Sequence, residues 1–186
     1  MIYDFKERLA FSQGRRIKSD IELLQKLIPS CVSVVKTDAN LDKQGIDYVA
    51  KLKNGAEIGI DVKTRDQGAS RYWKKGEPDL ALETWSVYPK NPKDEATGTR
   101  GWTLSSKTNV DFILYTFDVA DTDKFYFVPY QLLRMAFLHN GAHWIKEYPL
   151  KRQTTSSGWE SEALFVPASV VLNAISVEMQ GMIETE

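Results

Sequence analysis

Apolar residues recur at Ile17, Ile21, Leu24 and Ile28, the spacing of one helix face, and predict a helix between Arg15 and Ile28 that Pro29 stops. The β-branched run Cys31 to Val35 predicts a strand, and the polar stretch Thr37 to Gln44 a loop. Two strand-like runs follow, Ile46 to Leu52 and Glu57 to Thr64, on either side of Asn54-Gly55. Such a dipeptide between apolar runs is the strongest short-range signal of a β-hairpin.

Residues 66–109 are rich in Gly, Pro, Lys and Trp and contain one apolar run, Leu80 to Val87, so they predict a long excursion with a strand inside it. Pro78-Asp79, at its start, reads as a turn. Val110 to Phe117 and Phe125 to Val128 predict an antiparallel pair joined by Asp118 to Lys124. Pro129 then opens a helix through about Leu138. Phe165-Val166-Pro167 repeats the Phe127-Val128-Pro129 strand-to-helix start before a second apolar stretch, Val170 to Met179. This order predicts an α/β or α+β domain with a mixed sheet and flanking helices. Residues 1–152 form its body and 153–186 a strand-and-helix extension with an acidic tail, packed on the same domain.

Composition narrows the chemistry. With 186 residues, 42% apolar and 26% charged, the chain reads as one globular domain. No apolar run reaches the roughly 18 to 20 residues of a membrane span and the N-terminus lacks a signal-like segment, so a cytoplasmic protein with no membrane partner is expected. A lone Cys31 and 2 His exclude an internal disulfide and a Cys/His zinc site, leaving a hard, oxygen-bound metal as the expected kind. Net charge is −1, yet residues 1–159 hold 24 basic against 20 acidic side chains, and no Lys or Arg follows Arg152. A mildly basic body with an acidic tail permits a polyanionic partner.

The candidate chemistry lies in the hairpin, where Gly45-Ile46-Asp47 is followed by Glu57-Ile58-Gly59-Ile60-Asp61-Val62-Lys63. Period-2 geometry puts Gly59, Asp61 and Lys63 on one face, and Ile58, Ile60 and Val62 on the other, buried face. The turn decides whether Asp47 joins them. A two-residue Asn54-Gly55 loop sets Asp47 opposite Val62 and sends the two aspartates to opposite faces. A three-residue Lys53-Asn54-Gly55 loop with Gly55 left-handed pairs Leu52 with Ala56 and sets Asp47 opposite Asp61. Two facing carboxylates repel unless a divalent cation sits between them, which favours the second register for a phosphodiester-cleaving site, an outcome a β-bulge would also produce.

These residues resemble the core of the PD-(D/E)XK nuclease superfamily, which includes restriction endonucleases, Holliday-junction resolvases and phage recombination nucleases. The likeness spans roughly residues 14–115, with Ile46 standing where the family name has proline. It implies a restriction-endonuclease-like core in which Asp47, Asp61 and the Val62 carbonyl bind Mg²⁺ (or Mn²⁺) and Lys63 orients water and steadies charge. It further implies a nucleic-acid partner, DNA being the expected form, and admits a homodimer. The acid-x-Lys triplet by itself is weak: about two are expected by chance in such a composition, and Asp4-Phe5-Lys6 is the second.

Other residues extend this picture. Glu83 interrupts the apolar run Leu80 to Val87, either on the wet side of an edge strand or as a third acidic residue of the site. Asp20 flanks the apolar face of the first helix, where family members often offer a Glu; Glu22 points away, and Glu7 serves only if the N-terminus folds back. Arg65, Arg71, Lys74 and Lys75, interleaved with Tyr72 and Trp73, suit a nucleic-acid groove or a solvated loop whose Trp covers the core. Lys107 is placed by the resemblance on a helix after the site, against a phosphate. His139 and His143 fit core or surface positions better than a His-Asn-His nuclease, with Gly141 expected to break the helix between them. No Walker-type loop is present. The alternatives to an enzyme are a non-catalytic nucleic-acid-binding or assembly protein, and a protein-interaction module.

Overall fold

A computed structural model describes residues 17–38, 45–65, 73, 76–91, 93–117, 124–154 and 158–183. The chain is a mixed α+β structure built on two sheets and three helices among these residues. Helix α1 (Ile17–Leu27) is amphipathic and stops before Pro29, where Ser30 turns the chain with φ 61° into β1 (Cys31–Lys36). β1, β2 (Tyr48–Leu52) and β3 (Glu57–Arg65) form an antiparallel meander. β3 next meets a parallel neighbour, and Gly59 and Asp111 clamp the start of that pairing: Gly59 N donates to Asp111 Oδ2 at 2.8 Å, and Asp111 N to Gly59 O at 2.9 Å.

Between these parallel neighbours the chain leaves the first sheet. It forms β4 (Asp79–Val87), a short 3₁₀ turn (Glu95–Thr97) and β5 (Thr99–Arg100), then returns as β6 (Phe112–Phe117) beside β3 and β7 (Phe125–Pro129) beside β6. Helix α2 (Tyr130–Glu147), strands β8 (Leu150–Thr154) and β9 (Glu160–Pro167), and helix α3 (Ala168–Ile183) complete the order. The first sheet runs β1-β2-β3-β6-β7 and the second β5-β4-β9-β8.

Two cores hold these layers. Leu24 of α1 and Ile28 just after it pack on Val34, Tyr48, Ala50, Ile60 and Leu114, the α1 side of the first sheet. The opposite side, with Ile113, Tyr115 and Phe117, joins Leu80, Leu82, Leu164 and Val166 of the second sheet and the apolar faces of α2 and α3. Burial on both sides is what makes β3 and β6 tolerable as parallel neighbours.

Several expectations change. Pro78-Asp79 is no turn: Asp79 opens β4, paired with Pro167, and Pro78 O accepts from Ala168 N at 2.9 Å. The excursion is half of a second sheet, in which β9 lies between β4 and β8. The helix after Pro129 passes Leu138 and does not break at Gly141, because this buried glycine sits against Phe137, where a Cβ would stand 3.2 Å from the ring. Close packing there outweighs the low helix propensity of glycine. No helix among the described residues is long and apolar enough to cross a membrane.

Candidate active site

The hairpin adopts the three-residue turn. Leu52 N donates to Ala56 O at 2.9 Å, Gly55 N to Leu52 O at 3.0 Å, and Gly55 has φ +84°, open to glycine at little cost. The ladder then pairs Lys51 with Glu57 and Tyr48 with Ile60, where it ends; Asp47 N also donates to Ile60 O at 2.9 Å, a one-residue shift of the kind a β-bulge makes. Asp47 lies just before β2, where the ladder with β3 ends. Its Oδ2 accepts from Val62 N at 2.8 Å, so the carboxylate caps a strand N–H at the end of the ladder and is held on the Asp61 face.

Asp61 is only 2% exposed. Lys63 Nζ stands 2.8 Å from Asp61 Oδ2 as an ion pair, yet no directed hydrogen bond reaches that buried oxygen. Burial, then the charge of Asp61, push the Asp47 carboxyl up to about 6, against the pull of the Val62 N–H and Lys63. Burial opposes the charge on Lys63, but Asp61, Asp47 and Glu83 outweigh it and hold the ammonium above its usual range. The site is therefore a recessed pair of carboxylates with one permanently charged amine beside them.

Glu83 reaches this group from the second sheet. It lies on β4, an internal strand, at the irregularity between Glu83 and Trp85. Its Oε2 accepts from Ser86 Oγ at 2.6 Å and Trp102 N at 3.2 Å. The Trp102 ring in turn lies 5.7 Å from Lys63 Nζ, a cation–π contact. Gly101 makes the approach possible: a Cβ there would stand 2.3 Å from the Glu83 carbonyl oxygen. Glu83 thus acts on Lys63 and does not complete a carboxylate cage. Among the described residues no group of three or more His, Cys, Asp or Glu is placed to hold a metal.

The remaining candidates separate. Asp20 is buried behind the sheet, where Tyr48 OH donates to its Oδ2 at 3.2 Å. Arg65 is bound by Asp79, with Nη2 2.9 Å from Oδ1, and its guanidinium lies 4.7 Å from the Phe165 ring, so it is not the open phosphate contact expected. Trp73 packs edge-on to Phe117 at 5.4 Å and covers part of the core. Lys107 is exposed on a turn and not on a helix, because the second sheet occupies the place of a crossover helix after β3. Glu7, Arg71, Tyr72, Lys74 and Lys75 lie outside the described residues. His139 and His143 are surface residues, paired with Glu178 at 2.7 Å and Glu147 at 3.2 Å.

One residue was not legible as a site residue. Arg134 follows Tyr130 by one turn of α2, and Tyr130 OH donates to the Trp102 carbonyl at 2.8 Å. Burial raises the Tyr130 phenol against a side-chain hydrogen bond with Thr108, and Arg134, Asp61 and Lys63 act on it electrostatically. Arg134 Nε is enclosed without a hydrogen-bond partner. In the sequence it is one basic residue in a helix, with nothing to single it out.

No protein-family model, curated protein or solved structure matches the chain. The functional reading rests on this geometry.

Proposed function

We propose that the protein is a divalent-metal-dependent phosphodiesterase of PD-(D/E)XK type that hydrolyses the DNA backbone. The observation that carries this reading is the convergence of Asp47, whose Oδ2 accepts from Val62 N at 2.8 Å beside Asp61, with Asp61 and its ion-paired Lys63. A fold gains nothing from two recessed carboxylates side by side, and the cost supports a cation as their partner. The donors fit the group: they are hard oxygens, two of them on carboxylates that burial and mutual repulsion set against each other. Asp47, Asp61 and the Val62 carbonyl would hold Mg²⁺ or Mn²⁺, which when bound supplies Lewis acidity and a more acidic water.

The chain's own residues account for the rest. Lys63, kept protonated by three carboxylates, orients water and steadies charge on the phosphate. Glu83 and Trp102 hold the Lys63 ammonium in place, which makes them positioning residues. Arg134, whose enclosed Nε has no hydrogen-bond partner, would supply a guanidinium to a substrate phosphate.

The test incubates supercoiled, linear and branched DNA with Mg²⁺, Mn²⁺ or EDTA, beside Asp61→Ala and Lys63→Ala. Metal-dependent cleavage that falls at least about 100-fold in both variants, with unchanged circular dichroism, is the expected outcome. DNA binding without cleavage, indifferent to EDTA and to both substitutions, overturns the enzyme and leaves a nucleic-acid-binding protein on this fold.

A further inference from the structure

A second recess lies farther along the same strand. Beyond Lys63, β3 ends at Arg65, and there a cavity of about 230 Å³ opens between β3, the start of β4, β8 and the end of β9. Tyr148, Pro149 and Phe165 give it largely apolar walls, Arg65 and Asp79 a charged floor, and Lys151 a cationic rim. The two floor residues are mostly enclosed, with side chains 16% and 13% exposed. Arg65 is fixed twice, by Asp79 and by the Phe165 ring at 4.7 Å, and it still has an enclosed Nε without an acceptor. Lys151 Nζ lies 5.5 Å from the same ring.

The combination selects a ligand class. A rigid guanidinium beside a carboxylate presents donors next to an acceptor, the complement of a heterocycle edge that carries both. Flat apolar walls suit a planar ring. An acyl chain would leave the Arg65–Asp79 pair desolvated with nothing gained. A bare phosphate would make no use of the walls and would meet Asp79. A cation on the rim suits the phosphate of the same nucleotide.

We propose that this cavity is a nucleobase pocket, with Arg65 and Asp79 reading the base edge and Lys151 meeting its phosphate. Arg65 shares a face with Lys63 two strand residues away, about 6.6 Å along the strand, so the pocket would hold a base close to the bond broken at Asp61 and Lys63. That placement rests on the phosphodiesterase reading; the binding of a base does not. A base so held is unpaired, which makes single-stranded or distorted DNA the substrate class.

Calorimetry with the four deoxynucleoside 5′-monophosphates, set against deoxyribose 5-phosphate, tests the pocket without any cleavage. At least one monophosphate is expected to bind ten or more times tighter than the sugar phosphate. Asp79→Asn, which adds a donor to the floor, is expected to change the order of preference among bases. Lys151→Glu alters an exposed position, leaves the fold intact, and is expected to abolish the advantage of monophosphates over nucleosides while nucleosides still bind. Equal affinity for deoxyribose 5-phosphate and every monophosphate overturns the pocket. Cleavage assays on oligonucleotides with an abasic position beside the scissile bond separate the two readings. Metal-dependent cutting indifferent to the missing base, with no mononucleotide binding, sinks the pocket and spares the enzyme. Mononucleotide binding with no cutting of any DNA does the reverse.

Discussion

Burial and a neighbouring carboxylate give Asp47 a pH signature of its own. Its carboxyl is pushed up to about 6 from an ordinary 3.8, so between these values the folded chain binds more protons than the unfolded one. Stability from this group is full below about pH 4 and is lost as pH rises through 6, a change on the order of 3 kcal/mol. The metal-free melting temperature of the wild type is therefore expected to fall across this window relative to Asp47→Asn. Mg²⁺ is expected to restore it at pH 7.5 and to do little at pH 5. Parallel pH profiles for the two proteins, followed by circular dichroism, would remove the strained carboxylate pair. Gly101 offers a steric counterpart: a methyl at this position would meet Glu83 backbone at 2.3 Å. Gly101→Ala is expected to cost about 2–3 kcal/mol and to weaken Lys63 function as Trp102 moves.

Among the elements, the hairpin determines whether there is a site at all. Its three-residue turn fixes the register as far as Tyr48 and Ile60, from which the shift at Asp47 follows; a one-residue change in the turn reverses every side chain beyond it. Deleting Asn54 converts the turn to two residues, and two arrangements then compete. Keeping the apolar face of β2 packed under α1 would strain the turn, and slipping the register would carry Asp47 off the Asp61 face. Either way the metal-induced rise in melting temperature is expected to vanish. Gly55→Ala keeps the register, since nothing lies within 4 Å of the added methyl and only the φ of +84° resists it; a loss of about 1 kcal/mol with the metal response intact is expected. A deletion variant that responded to Mg²⁺ as fully as the wild type would show that register is not what makes the site.

At the scale of the whole molecule, the second sheet ties the C-terminal residues to the site. β9 pairs with β4 on one side and β8 on the other, and Glu162 of β9 accepts from Thr84 Oγ1 at 2.9 Å and Arg152 Nε at 3.0 Å. Removing residues 158–186 would strip β4 of its partner and open the core that β9 shares with the first sheet. The expected result is loss of the cooperative thermal transition. A truncated chain that melted cooperatively would show that β4 and the shared core hold without residues 158–186. Charge acts at this scale too. If Arg134 meets a phosphate, Arg134→Gln should flatten the dependence of DNA affinity on salt by roughly 0.7 to 0.9 in log–log slope, and an unchanged slope would place the guanidinium away from the DNA.

Alternation of apolar and polar residues and the Asn54-Gly55 turn determined β2 and β3, the first helix and the shared face of Asp61 and Lys63, because side-chain direction within one element depends on its own periodicity. The β6–β7 pair and the strand-to-helix start at Pro129 were legible for the same reason. Tertiary structure decided what depends on distant neighbours. Exposed Leu150–Thr154 becomes a strand only by pairing with β9; Arg65 is fixed by Asp79 across the two sheets; and Tyr130 meets the Trp102 carbonyl only because the chain leaves the first sheet and returns parallel to it. Pairings between segments far apart in the chain are settled by the burial they jointly achieve, and no local pattern of residues records that sum.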